Sequence, residues 1–174
     1  MMNTHSRSQS LTDTSSQRAA LIKEVFQFVC SARMLPGVTR IALIGSLSTH
    51  KPDPKDADLL VTITDEADLV PLASEARKLQ GRALSLGRGG EVFLADLNDN
   101  YLGRICPWRQ CGPSYRVSCD AIHCGKRLYL HDDTQSIRLS EEVIAEPPIE
   151  LWPKLVTRVP ISDDLQRGLL DPLS

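Results

Sequence analysis

Two aspartates separated by one residue stand at the start of a hydrophobic segment. Asp56 and Asp58 open the stretch 56–63, whose alternating pattern predicts a β-strand with Ala57, Leu59, Val61 and Ile63 facing a core. Side chains at positions i and i+2 of a strand project from the same face, about 7 Å apart. Two carboxylates at that spacing suit divalent cations such as Mg²⁺. We therefore expect a metal site for phosphoryl transfer at the start of this strand.

A glycine–serine pair precedes the aspartates. Gly45 and Ser46 follow the apolar, β-branched stretch 38–44, which predicts a buried strand. Glycine has no side chain, so backbone amides there can approach a phosphate closely, and serine adds a hydroxyl. The pair is therefore a candidate triphosphate contact.

The loop between the two candidate strands contains two prolines, so we do not expect a long helix after Ser46. His50, Lys51 and Lys55 provide positive charge in this loop. They either contact phosphates or keep the loop soluble, and the sequence leaves both interpretations open.

This combination resembles the nucleotidyltransferase superfamily that includes DNA polymerase β. Its motif is a hydrophobic residue, Gly, Gly or Ser, a spacer of about nine to thirteen residues, then Asp-hydrophobic-Asp/Glu-hydrophobic. Ile44-Gly45-Ser46 and Asp56-Ala57-Asp58-Leu59 match each element. The resemblance covers roughly residues 20–100. It is greatest to small stand-alone bacterial members, including the minimal nucleotidyltransferases of toxin–antitoxin pairs.

The resemblance implies an α/β fold, a nucleotidyltransferase-like mixed β-sheet with flanking helices. It also implies transfer of a nucleoside monophosphate from an NTP, such as ATP, to a hydroxyl, with release of pyrophosphate. Asp56 and Asp58 would hold Mg²⁺ or Mn²⁺, and Gly45 and Ser46, with Lys55 as a further candidate, would contact the nucleotide. The acceptor (protein, RNA or small molecule) stays open. The alternative is a non-catalytic antitoxin-like or scaffold protein that keeps the fold and binds a partner chain, such as a toxin-like protein.

Relatives of this kind use a third carboxylate from a neighbouring strand, and the sequence offers two candidates. Glu91 opens a predicted strand, 91–97, and shares a face with Phe93 and Ala95. Asp96 lies near the end of the same strand and faces the other way. We favour Glu91 and keep both.

Helices and domain limits follow from periodicity and breakers. A capping box at 14–17 predicts the start of a first helix, which ends at Pro36-Gly37, after a disordered polar tail, 1–17. A second helix is predicted from Asp68 to Gly81. A fourth strand is expected at 101–105. The nucleotidyltransferase-like domain then spans 18–146, with a Cys-rich β appendage at 101–131 and a C-terminal extension, 147–174, in which only short helical fragments are expected.

Four cysteines lie close together in the predicted appendage. Cys106, Cys111, Cys119 and Cys124 have two spacings of four residues, which are compatible with a structural Zn²⁺ site. The alternative is a set of free thiols packed in a β-hairpin. The same stretch is locally basic and includes Trp108, so it is a surface for a triphosphate, an RNA end or an acidic partner, or else the solvated face of two strands.

Composition narrows the class of protein. The net charge of −2 argues against binding to nucleic acid or a membrane by bulk electrostatics. The polar N-terminal stretch has no apolar region of a signal peptide, and no apolar run is long enough to span a bilayer. Five cysteines without an export signal favour the reducing cytoplasm. We expect a cytoplasmic protein without a membrane partner.

Overall fold

A computed structural model gives the structure of the chain for residues 5–111, 127–132, 134–135 and 137–174. The chain forms a mixed α/β fold built on one seven-stranded sheet. No helix among these residues is both long and apolar enough to cross a membrane.

The strands are β1 Val38–Ile44, β2 Asp56–Ile63, β3 Gly89–Ala95, β4 Tyr101–Ile105, β5 Leu130–His131, β6 Ile149–Trp152 and β7 Val156–Thr157. Their order across the sheet is β5-β4-β3-β2-β1-β6-β7. The β2–β3 pair is parallel and the other neighbouring pairs are antiparallel. The helices are α1 His5–Ala32, α2 Leu69–Ser85, α3 Glu141–Ala145, α4 Asp163–Leu165 and α5 Asp171–Leu173, with a π-helical segment Gln166–Leu170 between the last two.

The sheet has two unequal faces. One face packs against α1, α2 and the C-terminal helical segment, and this layer contains the larger core, to which Leu59, Val61 and Leu94 belong. The other face carries a smaller cluster centred on Ala42, Ile44, Leu60, Phe93, Ala95 and Ile144. The odd-numbered residues of β2 are buried in the larger core, as the alternation predicted. Asp56 and Asp58 therefore lie on the face of the smaller cluster.

The predicted start of the first helix was wrong. α1 begins at His5, so it includes the residues of the expected capping box and much of the segment expected to be a disordered tail. No glycine or proline occurs between 5 and 32, so nothing in the sequence interrupts a helix there. The polar residues Thr14–Gln17 are accommodated inside the helix.

The predicted end of the second helix was also wrong. α2 passes through Gly81 and ends at Ser85. Ala83 extends the buried stripe by one more turn, and that packing outweighs the low helix propensity of one glycine. Gly87, just after the helix, has a φ of +68°, which suits glycine and turns the chain away from the helix axis.

Two expectations about the later chain need correction. Tyr101–Ile105, the expected start of a separate appendage, pairs with β3 in the main sheet. Residues 149–157, expected to hold only short helical fragments, form β6 and β7, and β6 pairs with β1. Ile149 and Leu151 are buried on the larger core, so the C-terminal residues complete the sheet.

Candidate functional site

Gly45 forms the turn at the end of β1 in a conformation that only glycine adopts readily. Its φ is +71° and its ψ is −159°. A Cβ on Gly45 would lie 2.7 Å from the Asp58 Oδ2 atom, so the space is also closed to a side chain. The Gly–Ser turn and the second aspartate of the motif are thus in direct contact.

Ser46 begins a short 3₁₀ turn, Ser46–Ser48, which is held by hydrogen bonds to the Gly45 carbonyl. Ser48 donates to that oxygen through its amide (3.2 Å) and its Oγ (2.7 Å). The Ser46 Oγ is buried and has no hydrogen-bond partner among the described residues. Buried hydroxyls are nearly always paired, so this atom is a candidate contact for a ligand oxygen.

β2 places Asp56 and Asp58 beside β3. In the parallel register Asp56 pairs with Gly89 and Asp58 pairs with Glu91, while Asp58 faces Ile44 across the antiparallel pair. A Cβ on Gly89 would collide with Asp56 Oδ1, so glycine makes room for this carboxylate. Three acids therefore lie on adjacent positions of two strands, next to Gly45.

The electrostatics of this group favour a cation. Desolvation by burial and the nearby charges of Asp56 and Glu91 together raise the pKa of Asp58 to about 7, although a hydrogen bond from the Glu91 amide acts to lower it. Among the described residues no Lys, Arg or His lies within ion-pair distance of Asp56 or Asp58. A bound divalent cation would relieve this repulsion.

Without a nucleotide, the side chains of this site supply only some of the oxygen ligands that Mg²⁺ needs. Within the described ranges, no three His, Cys, Asp or Glu side chains form a ready-made metal site. Mg²⁺ commonly takes one or two carboxylates and completes its shell with substrate phosphates and water. Asp56 and Asp58 match that pattern, with the phosphates supplied from the side of Gly45 and Ser46.

The two candidates for the third carboxylate lie at opposite ends of β3. Glu91 is beside Asp58, and its Oε1 accepts a hydrogen bond from Arg104 Nη1 at 2.7 Å. Asp96 follows β3, about 16 Å further along the chain by strand rise. The structure brings Glu91, and not Asp96, to Asp56 and Asp58.

Asp96 instead closes the turn between β3 and β4. Its carboxylate accepts hydrogen bonds from the amides of Asn98 (2.8 Å) and Asn100 (2.9 Å) and from the Asn100 side chain (2.9 Å). Although desolvation raises its pKa, these bonds lower it overall below the ordinary value. This carboxylate is already occupied as a turn acceptor.

The basic residues of the loop between β1 and β2 are exposed. The side chains of His50, Lys51 and Lys55 lie at the surface. The backbone carbonyl of Lys55 accepts a hydrogen bond from the Gly89 amide at 3.1 Å, which ties the loop to the start of β3. Their contact with phosphate stays a prediction.

Arg18 is the residue of this site that the sequence did not reveal. It is 5% exposed, and its guanidinium donates to three carbonyls of the loop: Leu47 (3.4 Å), Thr49 (3.0 Å) and Lys51 (2.8 Å). Its position on α1 could have indicated its burial from the sequence. Arg18 lies three residues before the buried Leu21 and therefore on the apolar face of the helix. A charge on such a face needs buried partners.

The other side of Arg18 reaches the C-terminal segment. Its Nε donates to Asp164 Oδ2 at 2.5 Å and its Nη2 to Ser162 Oγ at 3.1 Å. Desolvation raises the pKa of Asp164, but hydrogen bonds from Arg18 and Ser162 hold it below its ordinary value. Asp164 therefore stays ionised and keeps Arg18 directed at the loop.

Part of the expected zinc site lies outside the described residues. Cys106 is buried, and its amide donates to the Tyr129 carbonyl at 2.7 Å. The Tyr129 amide donates to Cys111 Sγ at 3.2 Å, so both cysteines border the segment that returns to β5. Cys119 and Cys124 fall outside the described ranges, and zinc binding stays a prediction.

Comparison of the chain with family models, curated proteins and solved structures finds no match. The superfamily resemblance therefore rests on the motif and on the geometry described above.

Proposed function

We propose that the protein is a nucleotidyltransferase that transfers a nucleoside monophosphate from an NTP to a hydroxyl. The observation that carries this proposal is the contact between the Gly45 turn and the Asp58 carboxylate. It places an acidic group, which has no Lys, Arg or His of the described residues within ion-pair distance of Asp56 or Asp58, beside a turn where a phosphate can approach the backbone and the Ser46 hydroxyl. A turn or an acidic pair alone would not support it.

In this proposal Asp56 and Asp58 hold Mg²⁺ or Mn²⁺. When bound, the cation neutralises negative charge on the phosphates. The Gly45 turn leaves room for the triphosphate, and the Ser46 hydroxyl donates a hydrogen bond to one of its oxygens. Arg18 fixes the loop that follows, so little reorganisation is needed when the nucleotide binds.

The chemical step is the displacement of pyrophosphate from the α-phosphorus by the acceptor hydroxyl. The acceptor oxygen bonds to the α-phosphorus, and the bond from that phosphorus to the bridging oxygen of the leaving group breaks. Pyrophosphate departs, and the hydroxyl proton passes to the carboxylate of Glu91. Arg104 pairs with Glu91 and keeps it oriented.

The proposal is tested by thermal unfolding with Mg²⁺ and a non-hydrolysable NTP. Ligand that binds only the folded state raises the melting temperature, and we expect this gain to disappear in Asp56→Asn/Asp58→Asn. The matched control is Asp65→Asn/Glu66→Gln, which removes two exposed acids beyond the other end of β2. An equal gain in the aspartate double variant would place the nucleotide elsewhere and refute the proposal.

Activity is then tested with each α-labelled NTP, Mg²⁺ or Mn²⁺ and a cell extract as the source of acceptor. Label transferred by the wild type and not by the double variant supports the enzyme. Nucleotide binding without transfer would favour the alternative, a non-catalytic protein that keeps the fold and binds a partner chain.

A further inference from the structure

A cavity of about 180 Å³ lies next to Glu91 on the side away from Gly45. Residues of α2, β3, β4 and the segment after β4 line it. Ala76, Val92 and Ile105 are buried and give it apolar walls, whereas Trp108 is 53% exposed. Apolar walls with a few convergent polar groups are typical of a small-molecule site.

Polar groups converge at one part of this cavity. Glu91 and Arg104 both line it and form an ion pair with each other, although they project from the face opposite to Val92 and Ile105. The cavity reaches both faces because β3 pairs with β4 only from Phe93 onward. Gln80 of α2 adds an amide. The Trp108 segment is fixed to α2, because Arg77 Nη1 donates to the Trp108 carbonyl at 3.2 Å. The segment that carries the Trp108 indole is therefore hydrogen-bonded to α2, which forms the facing side of the cavity.

The strand order sets the cavity relative to the phosphate turn. β3, β2 and β1 are consecutive neighbours, so Glu91, Asp58 and the Gly45 turn form a row across one end of the sheet. The cavity adjoins the Glu91 end of this row, and the Ser46 hydroxyl lies at the other end. In phosphoryl transfer the attacking and leaving oxygens lie on opposite sides of the phosphorus.

From this arrangement we infer that the cavity binds the acceptor, and that the acceptor presents its hydroxyl on a neutral, ring-sized group. The inference rests on the proposed function. Leaving pyrophosphate belongs on the side of Gly45, so the attacking hydroxyl belongs on the side of Glu91. The ring packs between the apolar walls and the Trp108 indole, and its hydroxyl reaches the Glu91 carboxylate.

Size and charge define the class of acceptor. A cavity of roughly 150 Å³ accommodates benzene, so this one takes a single ring, either free or at the end of a larger molecule. Arg104 is already neutralised by Glu91, which disfavours a second charge on the ring. An aromatic ring and a sugar ring both pack against indole, so they are the two sources of this chemistry.

The test uses nuclear magnetic resonance of the indole N–H groups, since the chain has two tryptophans. Trp108 lines the cavity, and Trp152 lies on β6 and serves as an internal control. Hydroxybenzamide and methyl glucoside are titrated separately into the full-length protein with Mg²⁺ and a non-hydrolysable NTP. We expect at least one to shift the Trp108 signal saturably and leave Trp152 unchanged, and the active probe identifies the kind of ring.

Two variants that fill the cavity locate the binding. Ala76→Leu enlarges a buried wall residue and Gln80→Phe fills the cavity from α2 without changing a buried position. Each should abolish the Trp108 shift, whereas Lys78→Phe, exposed on the same helix, should not. No shift with either probe, or a shift that persists in both filled variants, overturns the inference.

Failure of the acceptor site is separable from failure of the proposed function. The filled variants should retain the increase in melting temperature with Mg²⁺ and NTP, because Ala76 and Gln80 lie away from Asp56 and Asp58. If the wild type shows that increase but no ring binding, only the acceptor inference falls. If ring binding occurs without nucleotide binding, the proposed function falls and the acceptor role falls with it.

Discussion

The two ends of one sheet face treat their acidic residues differently. At one end Arg40 donates to Asp99 (3.2 Å), Glu150 (3.4 Å) and the Ile144 carbonyl (2.5 Å), so the acids there are neutralised. At the other end Asp56 and Asp58 face Glu91 with no basic side chain of the described residues within ion-pair distance of either aspartate. Folding needs the first arrangement, whereas the second weakens the fold and is better explained by a ligand.

The largest expected effect separates Glu91 from Asp96, which lie at the two ends of β3. Glu91→Gln should lower the transfer rate at least about 100-fold, because a proton acceptor acts in the transition state. Its nucleotide-dependent increase in melting temperature should remain. Both are measured with labelled NTP and thermal unfolding.

Asp96→Asn is the matched variant for this comparison. It should keep the transfer rate near the wild-type value and lower the free energy of unfolding by at most about 1 kcal/mol, through weaker turn hydrogen bonds. An inactive Asp96→Asn together with an active Glu91→Gln would reverse the assignment of the third carboxylate.

A second prediction concerns the neutralised end. Arg40→Gln should lower the free energy of unfolding by about 2–3 kcal/mol, because partly buried acids and a carbonyl lose their cationic donor. Denaturant unfolding measures this loss. Arg158→Gln removes the other partner of Glu150 (3.6 Å) but leaves Arg40, so its effect should stay below about 1 kcal/mol. Equal losses would show that Arg40 has no special role at this end.

The smallest effect is expected at Asp58 and depends on pH. Its folded pKa of about 7 exceeds the ordinary value of 3.8, so the folded state keeps a proton that the unfolded chain releases between these values. Stability of the metal-free protein should therefore fall as pH rises from about 4 to 7. Asp58→Asn should raise the free energy of unfolding at pH 8 by about 1 kcal/mol, since solvent screens a partly exposed carboxylate.

Thermal unfolding from pH 4 to 8 checks this prediction. The gain from Asp58→Asn should shrink towards pH 4, where the wild-type carboxyl is protonated in the folded state and carries no charge. Asp65→Asn, at an exposed position, should show no such trend. A gain that is constant with pH would show that charge repulsion at Asp58 is not its cause.

Local pattern in the sequence was enough to predict several elements and the motif. β1, β2 and β4 have the predicted bounds, because alternation and β-branched runs depend only on neighbouring residues. The face shared by Asp56 and Asp58 followed from the same period. The placement of Glu91 on the face of Phe93 and Ala95 is also as predicted, since those two residues belong to the smaller cluster.

The pairing of strands that are distant in the sequence could not be predicted from the sequence. The parallel register that puts Glu91 beside Asp58 depends on how α2 packs, and the pairing of β6 with β1 joins residues more than a hundred positions apart. Such pairings carry no local signal. The predicted helix end at Gly81 and the predicted helix start at Thr14–Gln17 were wrong because tertiary packing outweighed local propensity.

The tie between Arg18 and Asp164 has a consequence for the order in which the protein becomes competent during synthesis. Arg18 holds the loop after Ser46, and Arg18 is itself held by Asp164, which lies 146 positions later in the sequence. A ribosome makes Gly45, Asp58 and Glu91 long before it makes Asp164. The nascent chain therefore carries every residue of the carboxylate group before Arg18 is held by Asp164, and the loop after Ser46 is fully fixed only once Asp164 has been translated.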